Sequence, residues 1–221
     1  RSDIWILIKE LFLTIKDLFT GKGLRLQERP MRKLGVMIIV ATIPTTVMGL
    51  GLNKFFEALN TNIPAIGIAW IVTGFLLFFA DRTGDGNRNI EKMNFRNGVF
   101  IGVMQGIAIC PGISRSGSTM VGGLLTGLER EFAVKFAFLI SIPTILGAAV
   151  LEIPQALNAT ASGSMEIGPM LAGIVVAAVS GVLAIKAMIK VVVAQKLKYF
   201  SYYVWALGIF AIVYKVVVAK S

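Results

Sequence analysis

The stretch VFIGVMQGIAICPGISRSGSTMVGGLLTGL, from Val99 to Leu128, decides the fold that this sequence predicts. It starts with an uncharged apolar run that ends at Cys110, continues with a polar segment around Arg115, and ends with a second apolar run over 120–128. A helix needs about 20 apolar residues to cross the hydrocarbon core of a bilayer, and neither run is that long. The stretch is therefore either one broken span or a hairpin that enters and leaves on the same side of a membrane.

The composition places the rest of the chain in a membrane as well. Of the 221 residues, 56% are hydrophobic and 15% are charged, with a mean hydropathy of +0.77. A soluble domain has about a quarter charged residues, so this chain cannot cover a core with a polar surface. The formal net charge is +10, but the basic residues gather in short loops, which indicates contact with anionic lipid headgroups and not with nucleic acid. The sequence has no His, which excludes a Ser-His-Asp triad and His metal ligands from these residues.

Apolar runs predict five membrane-spanning helices. These runs lie at about 34–52, 63–80, 132–151, 167–185 and 199–219. Residues 4–19 differ because charged side chains recur there at a seven-residue spacing, which predicts an interfacial helix or the end of a span. We therefore expect a single all-α integral membrane domain over 1–221, a polytopic helix bundle that contains the interfacial helix 4–19, two spans within 34–80, the hairpin 99–128 and three spans within 132–219.

The distribution of Lys and Arg favours the hairpin over the broken span. With a hairpin, one side of the membrane collects the basic loops around 22–33, 82–96 and 186–198. The other side keeps only Lys54, Lys215 and Lys220, beside an acidic loop at 152–166. A full crossing at 99–128 would instead place the basic 186–198 loop outside. The positive-inside rule therefore predicts a hairpin whose mouth lies at the cytoplasmic side and whose tip lies in mid-membrane.

A short internal echo indicates a repeated architecture. Residues 43–49, Ile-Pro-Thr-Thr-Val-Met-Gly, resemble residues 142–147, Ile-Pro-Thr-Ile-Leu-Gly, and each segment lies in a long span. Both spans run outward by the charge rule, so the echo does not by itself establish inverted topology, and a match this short also arises by chance. Repeats whose broken helices meet at the midplane are a known plan for membrane sites. Residues 1–33 contain no first hairpin, so we expect that hairpin upstream of Arg1.

Arg115 carries most of the information about function. A guanidinium in mid-membrane costs several kcal/mol unless it is paired or hydrated, and no Asp or Glu lies between Val99 and Leu128. A helix predicted to begin near Thr119 directs its positive end toward the same segment. The neighbouring hydroxyls and glycines offer further donors for phosphate oxygens: Ser114, Ser116, Ser118, Thr119, Gly112 and Gly117. The alternative interpretation is a polar break with Ser and Thr as helix caps, Arg115 reaching a headgroup, and Gln105 bonding a neighbouring helix.

Residues 105–119, Gln-Gly-Ile-Ala-Ile-Cys-Pro-Gly-Ile-Ser-Arg-Ser-Gly-Ser-Thr, closely resemble the second signature of the bacterial undecaprenyl-diphosphate phosphatases, the bacitracin-resistance family. The likeness continues through Gly122-Gly123, 136–138 and Ile142-Pro143, and covers most of the chain from about Lys33. It implies a multi-pass protein of the bacterial cell membrane with inverted-topology repeats and two re-entrant hairpins. The implied activity removes the terminal phosphate of a polyprenyl diphosphate lipid, undecaprenyl diphosphate, and so recycles the carrier for cell-wall synthesis.

The resemblance also implies roles for the residues of the signature. Arg115 would bind the diphosphate, other polar side chains would donate hydrogen bonds or face the site, and the attacking group is either a serine or an activated water. The implied catalytic residues are Gln105, Ser114, Arg115, Ser116 and Thr119, and the implied substrate-binding residues are Pro111, Gly112, Gly117 and Ser118.

One part of the family pattern is missing from these residues. The family's first signature has a pair of glutamates followed by a Pro-Val-Ser-Ser-Thr-Gly-His-like loop, and no segment of the chain matches it. The resemblance assigns a divalent cation, Mg²⁺ or Ca²⁺, to those glutamates, so we expect no metal ligand here. We therefore predict that the natural protein is active and that the 221 residues alone are not. Expected partners are the lipid substrate, membrane lipids and a second copy in a homodimer.

A transporter or lipid flippase with a mid-membrane phosphate site is the competing hypothesis. Inverted repeats and mid-membrane hairpins are commoner in carriers than in hydrolases. A carrier should have ionisable residues along a path through the membrane, whereas Arg115 is the only charge at clear mid-membrane depth in this sequence. The charge pattern therefore favours a phosphate site over a transport path.

Overall fold

The computed structural model describes residues 2–20, 23–161 and 167–218, and helices dominate it. Pro30 and Pro64 lie in the first turns of their helices, where a missing N–H leaves no hydrogen bond unmade. The Asn62 side chain caps the second of these helices by accepting from the N–H of Ala65 at 3.1 Å. The described helices are α1 (Ser2–Phe19), α2 (Pro30–Gly51), α3 (Asn53–Leu59), α4 (Ile63–Arg82), α5 (Phe95–Ile107), α6 (Arg115–Leu125), α7 (Arg130–Ala161), α8 (Ile167–Val193) and α9 (Leu197–Val218).

The all-α fold class is confirmed, and a long apolar helix stands at each of the five predicted spans. By length and composition, five helices of the described chain are able to cross a membrane: Pro30–Gly51, Ile63–Arg82, Arg130–Val150, Gly168–Val193 and Leu197–Val217. The prediction of an acidic loop at 152–166 is wrong over its first part. Helix α7 continues through Pro154 to Ala161, and residues 162–166 lie outside the described residues.

The two most closely packed helix pairs are α4 with α9 and α2 with α5. Trp205 of α9 lies against Gly74 of α4 and donates from its indole nitrogen to the carbonyl of Ile71 at 3.0 Å. In the other pair, a Cβ added at Gly102 of α5 would overlap the backbone of Ala41 in α2. Glycine therefore permits close packing in both pairs, against a side chain at Gly74 and against backbone at Gly102. In contrast, the apolar span of α8 is 0% buried, which is the surface expected of a helix that faces lipid.

The predicted helix at 4–19 is present as α1, and charged groups attach it to α2. Arg32 is buried and forms ion pairs with Glu10 at 3.2 Å and with Asp17 at 2.8 Å. Its position at a membrane interface stays a prediction.

Helices α5 and α6 form an antiparallel hairpin. A Cβ at Gly122 would lie 3.0 Å from the side chain of Met104, and Thr119 lies near Gln105, so later residues of α6 face earlier residues of α5. At the open end the N–H of Arg88 donates to the carbonyl of Gly127 at 3.1 Å, and Arg88 accepts from the N–H of Glu129 at 3.0 Å. The two ends of the stretch predicted as a hairpin therefore lie side by side. Its re-entry from one membrane face and the inverted topology of the repeats stay predictions.

Candidate functional site

The loop between α5 and α6 is held against α4. Gly112 has φ +91°, and a Cβ there would lie 2.8 Å from the carbonyl oxygen of Ile66, so both the backbone conformation and the available space require glycine. The hydroxyl of Thr73 donates to the carbonyl of Gly112 at 3.3 Å and accepts from the N–H of Ser114 at 3.2 Å. Thr73 therefore fixes the loop from outside the signature.

The predicted start of the short helix near Thr119 is wrong, because α6 begins at Arg115. Ser114 is the N-cap, and its hydroxyl oxygen accepts from the N–H of Gly117 at 3.2 Å. This cap satisfies one of the amides that a helix leaves unbonded in its first turn. Arg115 and Ser116 consequently occupy the first turn, so the positive end of the helix lies at the signature itself.

Four of the predicted residues line one cavity of about 230 Å³ between α5, α6 and α7. Gln105 and Thr119 are buried at 0% and 1% exposure, whereas Arg115 and Ser116 are exposed at the mouth of the cavity. The complete lining is Gln105, Arg115, Ser116, Thr119, Ala137, Phe138, Ser141 and Ile145. The cavity thus combines a polar wall from α5 and α6 with a mainly apolar wall from α7.

The other predicted residues lie outside this lining. Ser114 caps α6, and Gly112 and Gly117 permit close contacts within and around the loop. Pro111 lies half-buried in the same loop. Ser118 is 2% exposed, and its hydroxyl has no hydrogen-bond partner among the described atoms. These residues surround the site without lining the cavity.

Arg115 has no carboxylate partner within the described part of the chain. By contrast, Arg130 is neutralised by Asp85 at 2.7 Å and Arg32 by two carboxylates. The guanidinium of Arg115 therefore keeps its donors for an anion that enters the cavity, and its planar geometry suits two oxygens of one phosphate.

The lining does not fit a divalent cation. Its polar groups are a guanidinium, an amide and three hydroxyls, whereas Mg²⁺ and Ca²⁺ prefer carboxylate oxygens. Among residues 2–20, 23–161 and 167–218, no group of three or more His, Cys, Asp or Glu side chains is placed to hold a metal. The polar groups of this cavity thus suit an anion better than a divalent cation.

Two polar residues of α7 at the site were missed by the sequence argument. Ser141 lines the cavity and donates to the carbonyl of Phe138 at 2.7 Å. Thr144 accepts from the amide of Gln105 at 3.4 Å. Both flank Pro143, so the Ile-Pro-Thr echo was the signal that pointed to them. Thr73 carried no such signal, since it is an isolated hydroxyl in an apolar span.

Comparison with known proteins agrees with the signature. The sequence model described as Bacitracin resistance protein BacA matches residues 1–210. The undecaprenyl-diphosphatase of Alkaliphilus metalliredigens is 46% identical over 96% of this chain and 77% of its own length. The protein of the same name from Carboxydothermus hydrogenoformans is 43% identical over 87% of this chain and 74% of its own length. The one from Methanosphaera stadtmanae is 36% identical over 98% of this chain and 78% of its own length. The chain is a multi-pass membrane protein and belongs to the bacitracin resistance protein BacA family.

Proposed function

We propose that this protein is an undecaprenyl-diphosphatase of the cell membrane, which hydrolyses the terminal phosphate of undecaprenyl diphosphate. The observation that carries the proposal is the unpaired guanidinium of Arg115 at the mouth of the cavity between α5, α6 and α7. The names of the relatives supply the substrate. The products are the monophosphate lipid and inorganic phosphate.

Phosphoryl transfer depends mainly on positioning and on stabilisation of negative charge, and this chain supplies both. Arg115 donates to the diphosphate oxygens, and the first turn of α6 adds backbone N–H groups and the positive end of its dipole. Ser116 adds a hydroxyl at the same mouth. The apolar side chains of Phe138 and Ile145 form most of the α7 wall beside the headgroup.

The proposal places the acidic groups and the cation outside the residues that line this cavity. The family's first signature, with its two glutamates, has no match in these 221 residues. We propose that those glutamates hold the Mg²⁺ or Ca²⁺, which neutralises further phosphate charge when bound, and that the 221 residues alone do not turn over substrate. Membrane lipids cover the exposed apolar face of α8 in this proposal, and a homodimer is the proposed assembly.

Phosphate release from undecaprenyl diphosphate in detergent with divalent cation tests the proposal. Two proteins are compared: this chain, and this chain extended by a segment that carries the first signature. We expect activity in the extended protein alone. Arg115→Ala in the extended protein should lower kcat/KM about 10³-fold or more, as the loss of a catalytic arginine does elsewhere. Its unfolding temperature should not change, because Arg115 has no ion pair in the described structure.

Arg96→Ala is the matched control, since Arg96 is an exposed arginine in the first turn of α5 and lies away from the cavity lining. It should keep full activity. If both folded proteins fail to release phosphate while either one moves the lipid across vesicle membranes, the hydrolase proposal is wrong and the carrier hypothesis replaces it.

A further inference from the structure

Gln105 is a buried amide with too few hydrogen bonds. Its side chain is 0% exposed, and its two polar contacts are long, 3.4 Å from Nε2 to the hydroxyl of Thr144 and 3.5 Å from Oε1 to the hydroxyl of Thr119. An amide side chain has two donors and two acceptor lone pairs, so most of its capacity is unused. A buried polar group without a partner is costly, and this one borders a cavity.

The proton of each neighbouring hydroxyl fixes which contact is a true bond. Thr119 donates its single proton to the carbonyl of Arg115 at 2.7 Å, so it has none for Oε1 of Gln105. Thr144 donates its proton to the carbonyl of Ser141 at 2.8 Å, so its oxygen can only accept. As the structure places the amide, Nε2 donates to Thr144 and Oε1 faces the hydroxyl of Thr119. This placement leaves Oε1 as an acceptor without a donor.

The cavity is consequently divided into a donor side and an acceptor side. Arg115, Ser116 and the first turn of α6 are donors. Gln105 offers the free Oε1, and Ser141 offers its oxygen because its proton is bonded to the carbonyl of Phe138. An ionised diphosphate has only acceptor oxygens, so it fits the donor side and is repelled by the acceptor side. The molecule that fits the acceptor side donates from O–H and carries a free lone pair, and water meets both requirements.

We propose that Gln105 orients the water that attacks the terminal phosphorus, and that Thr144 is the positioning residue that fixes the Gln105 amide. The inference rests on the proposed phosphatase function. A glutamine orients the attacking water in other phosphoryl-transfer enzymes, where its amide acts by geometry and not as a base.

The step balances without a further reactant. The water oxygen forms a bond to the terminal phosphorus as the bond from that phosphorus to the bridging oxygen breaks. The bridging oxygen keeps the electron pair and leaves as part of the monophosphate lipid. One water proton stays on the attacking oxygen, and the other moves to a non-bridging oxygen of the same phosphoryl group, so the second product is dihydrogen phosphate.

Kinetics of four variants in the active, extended protein test the proposal. Gln105→Leu should lower kcat about 100-fold, the size of effect that misplacement by about 1 Å produces. Thr144→Val should lower kcat about 10-fold with KM unchanged, a fraction of the loss from misplacement. Thr144→Ser keeps the accepting hydroxyl and should restore kcat. Thr46→Val is the control, because Thr46 is exposed on α2 and bonds only within its own helix, to Thr42 at 3.0 Å.

A binding measurement separates water orientation from a structural role. The probe is a methylene-bridged analogue of undecaprenyl diphosphate, which cannot be cleaved at the bridge, used as a competitive inhibitor. Gln105→Leu and Thr144→Val should bind it as the parent protein does, whereas Arg115→Ala should bind it weakly. Loss of inhibitor binding in Gln105→Leu, unchanged kcat in that variant, or no rescue by Thr144→Ser would each overturn the inference while leaving the phosphatase function intact. An inactive parent protein would instead overturn the proposed function, and with it this inference.

Discussion

The two Ile-Pro-Thr segments have almost the same local sequence and contact neighbouring positions on one face of α5 with different results. In α2, Thr45 donates to the carbonyl of Gly102 at 2.9 Å, and the two backbones touch. In α7, Thr144 accepts from the side chain of Gln105, and a cavity separates the helices. Both threonines follow a proline in a long helix, so the difference does not arise in the repeated segments themselves.

The residue on α5 that faces each segment decides the outcome. Gly102 has no side chain, so α2 approaches until its Thr45 bonds backbone. Gln105 carries a long amide, which holds α7 away and brings a polar group to the space that remains. The repeated segment thus forms a packing contact in α2 and part of a site in α7, because the facing residue of α5 is a glycine in one case and a glutamine in the other.

The largest effect on stability should come from adding a side chain at Gly102. In Gly102→Ala the new Cβ would overlap the backbone carbonyl of Ala41, which cannot rotate away. Overpacking of this kind costs about 1–3 kcal/mol, and we expect the upper end because the obstacle is backbone. The unfolding temperature in detergent measures the loss. Equal stability of Gly102→Ala and the parent protein would contradict the backbone contact.

A smaller effect should separate the two threonines. Thr45→Val removes a buried hydrogen bond between α2 and α5 and should lower the free energy of unfolding by about 1 kcal/mol. The kcat of the active, extended protein should stay unchanged, because Thr45 does not line the cavity. Thr144→Val should show the reverse pattern, a lower kcat with little change in stability. If both variants lose kcat equally, the two segments do not differ in function.

The smallest effect should come from Gly147 at the end of the α7 segment. A Cβ there would meet nothing within 4 Å, so Gly147→Ala should raise the free energy of unfolding by about 0.5–1 kcal/mol through helix propensity. Gly49→Ala in α2 is the matched variant, and its Cβ would lie 3.2 Å from the side chain of Ile109. We expect it to gain less, by the same thermal measurement. A larger stability gain in Gly49→Ala than in Gly147→Ala would contradict the closer packing that the structure shows around Gly49.

The spans could be predicted from the sequence because an apolar run of about 20 residues is by itself enough to indicate a membrane-spanning helix. The start of α6 could not, since Ser114 serves both as part of a polar loop and as a helix cap, and only the bond from Gly117 distinguishes the two. The continuation of α7 past Pro154 was missed because proline and acidic residues are typical of loops.

The site was predictable where its residues are contiguous in sequence. Arg115, Ser116 and Thr119 lie within one turn or two of the same helix, and Gln105 lies in the same signature. The contacts of Thr73 and Ser141 depend on how helices distant in sequence pack together, and no local sequence pattern predicts that packing. The contacts of the Gln105 amide depend further on two hydroxyls in two other helices.

The backbone bonds of Arg88 join the two ends of the hairpin and make residues 88–129 a closed loop. A segment closed in this way can unfold and refold as one cooperative unit while α4 and α9 stay packed. Hydrogen exchange should then show the amides of Arg88 and Glu129 exchanging together with those of α5 and α6, at a lower free energy than the amides of α9. The part of the protein that carries the candidate site would in that case be the part that opens first.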